Sequence, residues 1–251
     1  MMLTEEDFDK FRQFRVRAMG DRLREMIEDP SFDSWTFEEK MKELIDAEDA
    51  ARQSRKIAKL VREARFKLPG ACVEDVIYLP ERGLSKDRVE RWASCAWVEN
   101  KEVMVVISKS GCGKSFLVQA LGVAACRRLH KVCYVRLADL FDDLARCRSA
   151  ADGSLYERMD YYKQVDLLIL DDFLTTPTDV QGAIDLFEII ESRESRAATL
   201  VASQLEPNEW YLRIEGELMA DSILNRIATR ARYVDLKGPN MREYLMKHDK
   251  R

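Results

Sequence analysis

Five short runs rich in valine, leucine and isoleucine, "EVMVVI", "KVCYVRL", "VDLLILDD", "ATLVAS" and "ARYVDL", recur from about residue 100 onward and alternate with longer helix-like stretches such as "GAIDLFEIIESR". Runs that are apolar throughout, rather than on alternate residues, suit strands buried on both faces. Strand followed by helix, repeated, predicts a parallel sheet covered on each side. This part of the chain is therefore expected to be α/β, with a central five-stranded parallel sheet flanked by helices.

The residues before it read differently. From residue 4 to about 66 the apolar positions fall at helical spacing, with Phe8, Phe11, Met19, Leu23 and Met26 preceding an interruption at Pro30. Thr36 and Glu39 have the spacing of a capping box, which starts a second helix. Pro69 and Gly70, then Pro80 and Gly83, punctuate a linker. The expected division is a small all-helical N-terminal domain over 1–67 and an α/β domain over 68–251.

Near its end the helical region carries "RQSRKIAKLVREARFK", with seven basic residues and one acidic. Arg52, Arg55, Lys56, Lys59 and Arg62 share one helix face, and Ile57, Leu60, Val61 and Ala64 the other. Two readings fit: the solvated face of a core-packed helix, or a stripe that contacts nucleic-acid phosphates. The net charge of −4 gives no global attraction to a polyanion, so any such binding depends on local patches of this kind.

Six cysteines, none in a Cys-x-x-Cys pair, and two histidines make no zinc pattern and suggest free thiols in a reducing compartment. The N-terminus lacks the basic head and apolar core of a signal peptide, and no run has membrane-spanning length. A cytoplasmic location is expected. Trp35, Trp92, Trp97 and Trp210 read as packing residues, and His130 and His248 as isolated.

The chemistry concentrates after the first apolar run, in "VMVVISKSGCGKSF". A sharp turn between a strand and a helix aims backbone amides and the helix N-terminus at phosphate oxygens. Ser108, Lys109, Ser110, Gly111, Cys112, Gly113, Lys114, Ser115 and Phe116 would form this nucleotide-binding loop. Gly111 and Gly113 admit conformations closed to other residues, Lys114 can reach the β and γ phosphates of ATP, and Ser115 can ligate Mg2+. The usual pattern begins with glycine, where this chain has Ser108. If that position needs a positive φ, serine costs about 1 kcal/mol or more of strain. "VDLLILDDF" places Asp171 at a strand end, suited to the metal, and Asp172 beyond it, suited either to polarising a water or to capping the next helix. Ser203 and Gln204 end another strand and could hold that water or the γ phosphate. Arg226, Arg230, Arg232 and Arg242 suit a phosphoryl transition state or ordinary surface ion pairs.

In this order the pieces resemble the IstB/DnaC group of the AAA+ ATPases, and within it the IstB-like transposition helpers. The likeness runs through "SFDSWTFEEKMKELIDAEDAARQSRKIAKLVREARFKLPG", the approach "RGLSKDRVERWASCAWVENKEVMVVI", "CYVRLADLFDDL", "VDLLILDDF", "AIDLFEII" and "LKGPNMRE". The resemblance implies roles for single residues: Lys114 and Ser115 for phosphate and magnesium, Asp171 for the metal, Gln204 as first sensor, Arg226 as a finger donated to a neighbouring subunit, and Arg242 as second sensor. The family usually has Gly, Glu and Asn where this chain has Ser108, Asp172 and Gln204. The resemblance also implies ATP-dependent assembly into a homo-oligomeric ring or spiral on double-stranded DNA, in the service of a transposase. Two alternatives are a loader of a replicative helicase and an ATP-held DNA scaffold with little hydrolysis.

Overall fold

The computed structural model describes residues 3–248, which divide into two compact units at the boundary between Lys59 and Leu60. The first contains α1 (Glu5–Gln13), α2 (Arg17–Glu28) and most of α3 (Phe37–Glu63). The Thr36 amide and hydroxyl both donate to Glu39, and the Glu39 amide donates back to Thr36 Oγ1, which is the expected capping box. Glu48 of α3 is buried, yet its carboxylate accepts from the Ala18 amide near the start of α2 and from Arg52 and Arg55. A buried carboxylate persists only when its lone pairs are taken in this way.

The second unit continues with α4 (Lys86–Ala93), α5 (Ala96–Glu99), β1 (Val103–Ile107), α6 (Lys114–Arg127), β2 (Val132–Arg136), α7 (Leu137–Ala150), α8 (Ser154–Gln164) and β3 (Leu167–Asp171). It is completed by α9 (Val180–Arg193), β4 (Ala198–Ser203), α10 (Pro207–Trp210), α11 (Glu217–Ala228), β5 (Arg232–Asp235) and α12 (Met241–His248). The five strands are parallel in the order β2-β3-β4-β1-β5.

Every residue of β3 and β4 is buried, as the uninterrupted apolar runs require. Alternate residues feed two cores. Met104, Val106, Ile169 and Leu200 lie in one with Leu117, Val118 and Leu121 of α6; Val105, Leu168, Leu170 and Val201 lie in the other with Leu140, Leu144, Leu186 and Ile223. On the first side α6 comes so close that a Cβ on Gly122 would sit 2.6 Å from Phe66 and 2.8 Å from Ile169. Alanine there would overpack the core at a cost of about 1–3 kcal/mol. Among the described residues no helix is long and apolar enough to cross a membrane, and all six cysteines are free.

Candidate functional site: a phosphate loop at the carboxyl edge of the sheet

Parallel strands send their carboxyl ends to one edge, where ligands of open α/β sheets bind. Beyond β1, β3 and β4 the backbone keeps the ends in register: the Ser108 amide donates to the Ser203 carbonyl at 3.1 Å and the Phe173 amide to Ala202 at 2.9 Å. Residues 108–113, Asp171, Asp172 and Gln204 are thereby gathered around one edge.

Gly111 and Gly113 have φ of 85° and 86°, in the left-handed region that favours glycine. Ser108 is absent from the residues of positive φ. It is 3% exposed, and its hydroxyl donates to the Lys109 carbonyl at 3.1 Å. The strain conditional on a positive φ at this position therefore does not arise. It appears instead at Asp172, whose φ is 50°. Aspartate enters this region more easily than larger side chains. Asp172 is not a helix cap either, since α9 begins eight residues later with Asp179 accepting from the Gly182 amide.

A cavity of about 630 Å³ opens over the loop. Lys109, Ser110, Gly111, Gly113, Lys114, Ser115 and Phe116 line one side, and Asp172, Gln204 and Arg242 another. Leu68, Ile77, Met241 and Leu245 give it an apolar end. Cys112 belongs to the loop but is 5% exposed, its thiol directed at the Gly238 carbonyl.

Lys114 opens α6 and is 6% exposed, and its Nζ has no hydrogen-bond partner. Burial lowers its pKa from the usual lysine value, against the opposing pull of Asp171 and Asp172. A cation at a helix N-terminus also opposes the helix dipole. Among the described residues the amides of Ser110, Gly111 and Gly113 donate to no protein acceptor. A buried ammonium and undirected amides around two left-handed glycines fit a polyphosphate, which supplies the missing acceptors.

Asp171 is 1% exposed. Its Oδ2 accepts from the Tyr134 hydroxyl at 2.7 Å and its Oδ1 from the Asp172 amide at 2.9 Å. One lone pair on each oxygen remains available, and with the Ser115 hydroxyl this donor set fits a hard divalent cation such as Mg2+. Ser203 is committed elsewhere: its hydroxyl donates to the Phe173 carbonyl and accepts from the Leu205 amide and the Trp210 indole. Of the two candidates at that strand end, only Gln204 reaches the cavity.

The structure does not bring Arg226 to this cavity. It pairs with Glu191 of α9 and with Glu194 just past the end of that helix, lies over the Phe187 ring, and lines a separate cavity with Arg230. Arg232 pairs with Glu102. In the basic stripe of α3, Arg52, Arg55, Lys56, Lys59 and Arg62 are all exposed as residues. Arg52 and Arg55 nevertheless commit donors to Glu48, and Arg52 also donates to the Arg15 carbonyl. Glu48 lies one turn before Arg52 and two turns before Arg55, outside the basic run, so this pairing is not visible in the run itself. Two residues that contact the site escaped the reading of the sequence. Tyr134 sits in a strand run and reads as core; Arg82 sits in the punctuated linker, where no periodicity marks it.

A model of the family described as IstB-like ATP binding protein matches residues 10–249. The chain belongs to that family. A putative insertion sequence ATP-binding protein of Sinorhizobium fredii is 32% identical over 241 residues, which cover 96% of each chain. The replication initiator DnaA bound to AMPPCP and single-stranded DNA superposes with a TM-score of 0.59 at 22% identity, over 71% of this chain and 55% of that one, so the chain spans little more than half of its length. DnaI gives 0.57 at 21% identity, over 72% of this chain and 94% of that one. At such identities the likeness is one of fold, and the fold is the AAA+ P-loop domain expected from the sequence.

Proposed function

We propose that this family member binds ATP with Mg2+ in the cavity above the phosphate loop, hydrolyses it slowly, and assembles as a homo-oligomer on double-stranded DNA to assist a transposase. The observation that carries the ATP reading is the buried Lys114 ammonium without a hydrogen-bond partner, within the electrostatic reach of Asp171 and Asp172 and beside a loop of undirected amides.

In this reading the amides of Ser110, Gly111 and Gly113 and the Lys114 ammonium hold the phosphates. Ser115 and Asp171 hold the metal, which would neutralise charge on the β and γ oxygens. Asp172 takes a proton from the water that attacks the γ phosphorus as the bond to the bridging oxygen breaks, and ADP and phosphate leave. Gln204 orients that water, and Arg242 stabilises charge on the γ phosphate. Arg226 acts on the nucleotide of an adjoining copy and would leave its glutamate partners to do so. Lys56 and Arg62 reach DNA phosphates, with Lys59 on the same face, while Arg52 and Arg55 share their charge with Glu48. Contacts of this type fix position without reading sequence.

The insertion-sequence name of the Sinorhizobium fredii relative, at 32% identity, supports a transposase partner over a replicative helicase. The decisive experiment is phosphate release from ATP with and without double-stranded DNA, with Lys114→Ala as the blank. DNA-stimulated turnover absent from the blank supports the proposal. Tight ATP binding without turnover would replace hydrolysis by an ATP-held scaffold.

A further inference from the structure

A second cation lies buried against the same loop. Arg82, in the approach to β1, is only 4% exposed. One guanidinium nitrogen donates to the Cys112 carbonyl at 2.9 Å and another to the Ile77 carbonyl, while Nε has no partner. Among the described residues no carboxylate pairs with it. Both its acceptors are neutral carbonyls, and burial lowers its pKa. Buried charges are normally paired.

The surroundings are shaped around this side chain. A Cβ on Gly238 would lie 2.8 Å from Arg82 Cγ, and one on Gly113 would lie 3.0 Å from a terminal guanidinium nitrogen. The Arg82 carbonyl also accepts from the Lys237 amide, so one residue ties together the approach segment, the phosphate loop and the turn after β5. The effect on the loop follows from peptide geometry. In a trans peptide the carbonyl and the following N–H point in opposite directions. Holding the Cys112 carbonyl on the guanidinium turns the Gly113 amide away from it, and both Arg82 and Gly113 line the cavity.

We propose that Arg82 is a positioning residue of the nucleotide site: it fixes the Cys112–Gly113 peptide so that the Gly113 amide meets phosphate, and its buried charge is balanced by the phosphate chain of the bound nucleotide. The inference rests on reading this cavity as the ATP site. It requires that losing the Arg82 charge weaken binding according to the number of phosphates on the ligand. A purely structural arginine would change the affinity for every nucleotide alike.

The test is calorimetric binding of ATP, ADP and AMP to the full chain and to Arg82→Gln, Arg82→Lys and Lys114→Ala, with circular dichroism as the check on folding. Arg82→Gln is expected to lose about tenfold in ATP and ADP affinity and no more than about twofold for AMP. Arg82→Lys, which keeps a charge and a donor, should stay within about threefold of the unaltered protein. A folded Arg82→Gln that binds ATP unchanged, or that loses all three nucleotides equally, overturns the proposal. If Arg82→Gln does not fold, a folded Arg82→Lys decides: retained ATP affinity supports the role and a tenfold loss ends it. Lys114→Ala separates the two levels. If it too binds ATP normally, the cavity is not the ATP site; if it alone loses ATP, only the role of Arg82 fails.

Discussion

The Tyr134 hydroxyl, near the middle of β2, donates to Asp171 Oδ2 at the end of β3 over 2.7 Å, with both residues buried. Burial, reinforced by the adjoining Asp171 charge, raises the tyrosine pKa well above its usual value, so the phenol stays a donor at any working pH. The bond fixes one oxygen of the carboxylate assigned to the metal. Tyr134→Phe should therefore raise the Mg2+ concentration that half-saturates phosphate release by about three- to tenfold, with global stability falling by about 1–3 kcal/mol for a lost hydrogen bond to a charged group. A magnesium titration at saturating ATP reads the first quantity and urea unfolding the second.

Asp172, proposed above as the base, lines the cavity from a backbone with φ of 50°. Asparagine matches its size and tolerates the left-handed region equally well. Asp172→Asn is thus expected to keep ATP affinity within about threefold while lowering kcat about 10²- to 10⁴-fold, the usual contribution of general base catalysis. Single-turnover phosphate release beside calorimetric ATP binding checks both.

Ser108 is buried outside the left-handed region, and its hydroxyl closes onto the next carbonyl. Glycine has no strain to relieve there and adds freedom to the unfolded chain. Ser108→Gly should leave kcat within about twofold and lower stability by up to about 1 kcal/mol, read from steady-state turnover and thermal unfolding.

Glu48 gives a pH dependence to the N-terminal unit. Burial raises its pKa, but hydrogen bonds from Arg52, the Ala18 amide and Arg55 outweigh that and leave it below the ordinary glutamate value of 4.5. A carboxylate with a depressed folded pKa stabilises above the unfolded pKa, and this contribution disappears as pH falls through the folded value. Glu48→Gln should cost about 1–3 kcal/mol near neutral pH and progressively less below the ordinary glutamate range. Urea unfolding of both proteins from pH 7 down to pH 3 tests the convergence.

Much of this was legible because the signals were local. Each of the five apolar runs contains a strand, the Thr36–Glu39 spacing forms its cap, and the glycines at 111 and 113 take the conformations that only the turn demands. What escaped was set by tertiary placement. Tyr134 contacts Asp171 only because β2 pairs with β3, and nothing in "KVCYVRL" announces its partner. Ser203 looks like a strand-end ligand until Trp210 folds back onto it. Arg82 has no periodic neighbours, and its importance follows from the loop that packs on it. In the sequence Glu48 reads as one more charge on a helix, although the chain buries it and turns two arginines toward it.

The Met241 amide, at the first residue of α12, donates to the Gly111 carbonyl at 2.8 Å, and a Cβ on Gly111 would strike the Asn240 side chain at 2.7 Å. The phosphate loop and the start of α12 are therefore latched together, with Arg242 one residue beyond the latch. The loop cannot shift away from α12 without breaking that hydrogen bond, so the first turn of the helix acts as a clasp on the glycine turn.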